Sequence, residues 1–329
     1  MGAEKALTSI GTSAAEQWRS VLIALLLATS LLAGLAIESG LTPAGLTQAI
    51  GGVPVWAYVL IAIVQGGIIF LAALKWCLIL SSNGNELEIR EATRATTLGA
   101  LGGQVMPIQL VTPVARAWIA RKQGIAPTRA IGTSLLEQVF EVIALAAMGM
   151  AAFVTSVFDM TFLSSVILSL MVAITLTLFV RSGLGLAQSA FAALAKLVSE
   201  KFNKFAEGFA NARLLSRKLL FHLMGLSMVR YSMLAGLNVF VLGQLAPDVD
   251  HMVLLAAYPL VLLLMSLPFF PGGLGVVELT WVGVLVAAGE ATASASETAI
   301  ALRIISTFGF LLIAPILIML PEQREKTDQ

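Results

Sequence analysis

The sequence predicts an all-α polytopic membrane protein. Of its 329 residues 58% are hydrophobic and only 12% are charged, and the mean hydropathy is +0.92. Such a chain is too apolar to fold around one soluble core. Apolar runs of about 20 residues recur along its whole length, which is the length that an α-helix needs to cross a bilayer. The loops between these runs alternate between basic and acidic, as they do in multi-pass proteins.

Six of the apolar runs are long enough to form full transmembrane helices. They cover 20–37, 55–80, 130–155, 161–180, 219–243 and 298–320. The first run is not preceded by a short apolar stretch with a small-residue cleavage site. We therefore expect a retained helix there rather than a secretion signal.

Two further apolar segments, 96–116 and 252–289, are interrupted by glycine and proline. Proline stops a helix, and glycine allows the backbone to turn. Non-helical backbone at membrane depth survives only where protein or a water-filled cavity satisfies its polar groups. We therefore predict two re-entrant hairpins, with the second helix of 252–289 starting near 275–276 and its free N–H groups facing a cavity. Two ordinary spans remain an alternative for 252–289.

The distribution of lysine and arginine predicts the orientation. The loops 81–95, 116–129 and 181–218 and the C-terminal tail carry lysine or arginine, whereas the other connections contain neither. These other connections are 38–54, 156–160, 244–250 and 290–297. We therefore place both termini in the cytoplasm, with hairpin 96–116 entering from the cytoplasmic face and hairpin 252–289 from the external face.

This arrangement predicts two similar units of opposite orientation. Residues 1–180 form the N-terminal half and 219–320 the C-terminal half, joined by an amphipathic cytoplasmic connector at 181–218 and followed by a cytoplasmic tail at 321–329. The connector alternates phenylalanine and leucine with charged residues at helical spacing. Inverted repeats with Gly/Pro-broken segments at matching places are the usual layout of secondary transporters, and the broken segments mark the binding site.

Ionisable residues within the spans are the candidate functional groups, because they are costly in a bilayer. Glu137 and Glu141 lie on one face of a helix, where they repel each other unless one is protonated or a cation lies between them. The candidate cations are Arg116, Arg230 and Arg303. Interior salt bridges that only lock the bundle are the alternative. Lys75 lies near a helix end, and we expect it to extend to the lipid headgroups.

Several site classes are disfavoured. The two histidines, His222 and His251, are far apart and do not form a metal-binding motif, and there is no cofactor motif. No nucleotide-binding G-x-x-x-x-G-K-[ST] sequence occurs, so energy for transport must come from a gradient or a partner. No G-x-S-x-G sequence, the nucleophile motif of many hydrolases, occurs either. A net charge of +1 gives no sign of nucleic-acid binding.

Two segments resemble a known family. The sequence PFFPGGLGVVE at 268–278 resembles a motif of the lysylphosphatidylglycerol synthase transmembrane (flippase-like) family, which includes the membrane domain of the bacterial multiple peptide resistance factor. The segment that runs from GGQVMPIQ to SLLEQVFEV, at 102–142, is similar to a second block of that family, from which it departs at Met106–Ile108, at Pro113–Ala115 and at Gln138. The positions that match are Pro271, Gly272, Gly273, Gly275, Glu278, Arg116 and Glu137, with Glu141 where the family often has aspartate.

The resemblance implies lipid translocation between the leaflets of a bacterial cytoplasmic (inner) membrane. Without a synthase domain, we expect this chain not to make the aminoacylated lipid. The residues predicted to bind or translocate the substrate are Arg116, Glu137, Glu141, Arg230, Gly272, Gly273, Glu278 and Arg303. Coupling to a proton or an ion, and assembly into a homo-oligomer, are left open. The alternative functions are a lipid-modifying membrane enzyme and a non-transporting subunit that docks a lipid or glycan biosynthetic partner.

Overall fold

The computed structural model describes residues 42–104, 106–158, 161, 163–177, 215–265 and 273–319. Ten helices and no strand occur in these residues. The helices are α1 (Pro43–Gly52), α2 (Val55–Ser82), α3 (Ile89–Gly102), α4 (Ile108–Lys122), α5 (Pro127–Val157), α6 (Leu163–Thr177), α7 (Arg217–Leu245), α8 (His251–Met265), α9 (Val276–Ala287) and α10 (Thr292–Ile318). The predicted span 20–37, nearly all of the connector 181–218, Gly272 and the tail lie outside the described residues.

Four helices, α2, α5, α7 and α10, are long and apolar enough to cross a membrane. They contain 27 to 31 residues, which gives each a length of about 40–46 Å at 1.5 Å per residue. They confirm the helices predicted at 55–80, 130–155, 219–243 and 298–320. Helix α6 lies within the predicted span 161–180, whose last residues are outside the described part of the chain.

The region before α2 differs from the prediction, because part of the expected loop 38–54 is the helix α1. Its first turn contains Pro43, and the N–H of Gly45 donates a hydrogen bond of 3.0 Å to Oγ1 of Thr42. A threonine N-cap followed by proline is a strong helix start. The helix has only ten residues, which is too short to produce a clear apolar period in the sequence.

Helices α3 and α4 form the first interrupted segment. Their side-by-side packing is antiparallel and close: a Cβ placed on Gly99 would lie 2.8 Å from the Cα of Thr112. With 14 and 15 residues, each is about 21–23 Å long, which is less than the hydrocarbon core of about 30 Å. The hairpin extends beyond the predicted bounds 96–116. Residues 89–95 are helical, and Glu91 there is buried and ion-paired with Arg94 at 2.8 Å.

Helices α8 and α9 form the second interrupted segment, with 15 and 12 residues. The chain enters α9 through Gly273 and Gly275, whose φ angles are +69° and +82°. Residues with a side chain avoid this left-handed region. Helix α9 begins at Val276, where the sequence predicted it. Residues 266–272, between the two helices, are outside the described part of the chain.

The order long, short, short, long occurs twice, as α2 to α5 and as α7 to α10. In each set every helix packs on the next and the first packs on the last. The two sets also interlock, because α3 contacts α10 while α8 contacts α5. Helix α2 runs antiparallel to α7, since Gly67 lies against Met233 whereas Lys75 bonds Ser227. The interlocking brings α2, α4, α5 and α7 together around one group of charged side chains.

Candidate functional site

Five charged side chains from four helices form one contiguous group, which we call the charge cluster. Helix α5 supplies two carboxylates, and α2, α4 and α7 supply one cation each. Every member lies within 4.0 Å of an oppositely charged member. The members are Lys75, Arg116, Glu137, Glu141 and Arg230.

Lys75 lies between the two carboxylates and has no exposed surface. Its Nζ atom donates to Oε1 of Glu141 at 2.6 Å and to Oγ of Ser227 at 3.1 Å, and it lies 3.4 Å from Oε1 of Glu137. The prediction that Lys75 extends to the headgroups is therefore wrong. It lies seven residues before the end of α2, about 10 Å from that end, and the facing carboxylates hold it inside. A cation does lie between the two glutamates, but it is Lys75 and none of the three candidates Arg116, Arg230 and Arg303.

Arg116 is 3% exposed, and the protein satisfies all three of its guanidinium nitrogens. Nη1 pairs with Glu137, and the guanidinium lies 4.9 Å from the ring centre of Trp76. The remaining acceptors are Ser134, Thr96 and the backbone oxygen of Ala72. With its donors used in this way, Arg116 fixes the position of Glu137 rather than offering a free donor.

Glu141 and Arg230 form the accessible edge of the cluster. Their side chains are 18% and 16% exposed, whereas those of the other members are at most 4% exposed. Nη1 of Arg230 pairs with Oε1 of Glu141, and the hydroxyl of Tyr231 donates to Oε2 of Glu141 at 3.0 Å. Both carboxylate oxygens of Glu141 are therefore engaged.

The cluster contains three cations and two carboxylates, which leaves one excess positive charge among the described residues. Unbalanced charge is expensive to remove from water. In the described part of the chain no third carboxylate lies within 4 Å of these cations. The cluster can therefore accept a further anionic group at its accessible edge.

Glu278 and Arg303 form a second pair, on α9 and α10. Oε1 of Glu278 lies 3.7 Å from Nε of Arg303. Its other oxygen accepts a hydrogen bond of 2.7 Å from the N–H of Gly275. Glu278 is 1% exposed, and it caps the start of its own helix. The expectation that Arg303 neutralises Glu137 or Glu141 is wrong. The N–H of Gly275 was expected to be free, but it is bonded to Glu278.

The structure groups the predicted site residues into two sets. Arg116, Glu137, Glu141 and Arg230 meet in the charge cluster, whereas Gly273, Glu278 and Arg303 lie at the start of α9 and beside it. Gly272 is outside the described residues. Sequence reasoning missed the roles of Lys75 and Tyr231. Lys75 is the only lysine, arginine, histidine, aspartate or glutamate between 55 and 80, which was the signal that could have identified it.

The described residues contain no group of three His, Cys, Asp or Glu side chains that could hold a metal ion.

The chain is similar to a known family over most of its length. A family model described as lysylphosphatidylglycerol synthase TM region matches residues 21–314. No curated protein matches the chain.

Proposed function

Since the chain belongs to the lysylphosphatidylglycerol synthase TM region family, a membrane lipid-related family, we propose that it moves a lipid headgroup between the two leaflets. The acyl or prenyl chains stay in the bilayer while the headgroup passes between the two halves. The protein's role in this proposal is translocation, and it makes no covalent change to the lipid.

The packing of the long and short helices supports an inverted repeat. The equivalent first helices, α2 and α7, run in opposite directions, and each half contributes a short helix that packs on the last long helix of the other half. Short paired helices that cannot each cross the bilayer support re-entrant hairpins. Such an arrangement encloses a polar region near the bilayer midplane.

The charge cluster is the observation that carries the proposal. It joins α2, α4 and α5 of the first half to α7 of the second, so it lies where the two halves meet. Ionisable side chains inside a membrane are usually functional. If these five side chains only held the helices together, they would add little net stability, because well-packed apolar residues of similar size stabilise a protein as well or better.

Reconstituted vesicles test the proposal. Wild-type protein in liposomes that contain a fluorescent phosphatidylglycerol should make the inner-leaflet label accessible to dithionite, a membrane-impermeant reductant that destroys the fluorescence. Glu141→Gln should reduce the rate at least about tenfold, because it removes the carboxylate shared by Lys75 and Arg230. The matched control Glu86→Gln alters an exposed residue and should transport normally.

An inner-leaflet pool as protected as in empty liposomes would contradict translocation. Conversion of a radiolabelled lipid by the purified chain would instead support an enzyme. Absence of both activities would favour a docking subunit.

We also propose that the protein lies in a bacterial cytoplasmic membrane with both termini inside. The ends of the first hairpin then face the cytoplasm and those of the second face outward. In a Cys77→Ser background, Glu88→Cys and Gln123→Cys should react with an impermeant maleimide only from the cytoplasmic side. Asp250→Cys and Glu290→Cys should react only from outside. Labelling of all four from one side would contradict the opposed hairpins.

A further inference from the structure

Arg230 has two donors that no described residue uses. Its Nη1 pairs with Glu141, whereas Nε is buried without a hydrogen-bond partner and Nη2 has no acceptor in the described part of the chain. The N–H groups of Nε and Nη2 are parallel and form the side-on fork of a guanidinium. This fork matches two oxygens of a phosphate or carboxylate. A buried donor without a partner is costly, so an acceptor is expected there.

The charge of the cluster selects the kind of acceptor. Three cations face two carboxylates, so an anion balances the group whereas a further cation makes the imbalance worse. Arg116 cannot serve as the main ligand, because the protein already satisfies its three nitrogens. Lys75 is fully buried between two glutamates. Arg230 is therefore the cation that an incoming anion can reach.

From this geometry we infer that the Nε and Nη2 fork of Arg230 binds the phosphate group of the transported lipid. The inference rests on the proposed function and names the chemistry that the site recognises, a phosphodiester. Glu141 holds the guanidinium from its other edge through Nη1, and the hydroxyl of Tyr231 holds Glu141 in turn. A lipid without phosphate leaves the fork empty and the excess charge unbalanced.

Exposed apolar side chains on α5 and α7, the helices that carry Glu141 and Arg230, favour a lipid over free phosphate. Val142 and Val229, the neighbours in sequence of Glu141 and Arg230, are 48% and 51% exposed. Apolar side chains exposed on membrane helices contact acyl chains. A lipid can thus place its tails along α5 and α7 while its phosphate reaches Arg230, whereas inorganic phosphate would gain nothing from this apolar surface.

A binding experiment on the detergent-solubilised full chain tests the inference. Native mass spectrometry measures the affinity for phosphatidylglycerol, for diacylglycerol and for inorganic phosphate. Wild-type protein should bind phosphatidylglycerol at least about tenfold more tightly than diacylglycerol, which corresponds to ~1.4 kcal/mol. Arg230→Lys keeps the charge beside Glu141 but lacks the fork, and it should lose this preference. The control Arg129→Gln, an exposed arginine that bonds Asn85, should keep it.

Each outcome bears on the inference. Equal wild-type affinity for phosphatidylglycerol and diacylglycerol would overturn it even if the variant failed to fold. An unchanged preference in Arg230→Lys would overturn the assignment to Arg230. Inorganic phosphate that binds as tightly as the lipid would overturn the lipid source. If phosphatidylglycerol binds as expected but vesicles show no transport, the proposed function fails and the phosphate site stands.

Discussion

Breaking the pair between Arg116 and Glu137 should produce strongly non-additive losses of stability. Arg116 is 3% exposed, and Glu137→Gln leaves it without a counter-ion, which should cost about 3–5 kcal/mol. Arg116→Met should cost ~3 kcal/mol, at the lower end of that range, because Lys75 still lies 3.4 Å from Glu137. The double variant leaves neither charge of the pair without its counter-ion, so it should cost less than the two single variants together by about 1–3 kcal/mol.

The measurement is the free energy of unfolding of purified protein in mixed micelles with increasing sodium dodecyl sulfate, followed by helix content. Glu86→Gln, at an exposed position, serves as the control and should shift the free energy by less than ~0.5 kcal/mol. If the single effects add to within about 0.5 kcal/mol, Arg116 and Glu137 act independently and the cluster is not an energetic unit.

Three further changes follow from the same contacts. Lys75→Met should lower the free energy of unfolding by ~3 kcal/mol, because two carboxylates then face each other across an apolar side chain. An unchanged value in the same detergent titration would mean that the lysine side chain reaches the headgroups. Glu278→Gln should slow vesicle transport severalfold with little change in thermal stability, since the amide oxygen can still accept the hydrogen bond from the N–H of Gly275. Wild-type rates would remove this residue from the site. Gly99→Val should lower the melting temperature because its Cβ would lie 2.8 Å from a backbone atom of α4, whereas Gly225→Ala, which has open space around it, should not. Equal melting temperatures would contradict the close hairpin.

The long helices and the positions of the helix breaks could be predicted from the sequence because local physics determines them. An apolar run of sufficient length must be helical in a bilayer, and α2, α5, α7 and α10 follow such runs. The start of α9 at Val276 follows from two glycines whose positive φ angles end the preceding turn. Predicted boundaries were less accurate at 89–95 and 292–297. Both stretches are helical although they are polar enough to be taken for loops.

The partners within the site could not be predicted, because they depend on which helix faces which. Spacing placed Glu137 and Glu141 on one face of a helix but did not identify the opposing cation. Distance from a helix end suggested that Lys75 extends outward, whereas the structure pairs it with both glutamates. Arg303 was assigned to the same group, but α10 places it beside Glu278 instead.

The most direct test of the account is a cryo-EM structure of the protein in nanodiscs that contain phosphatidylglycerol. We predict headgroup density at the accessible edge of the charge cluster, with phosphate oxygens at about 2.7–2.9 Å from Nε and Nη2 of Arg230. Density showing that fork occupied by a carboxylate of the protein, with lipid headgroups only at the two membrane surfaces, would contradict a lipid path through the cluster.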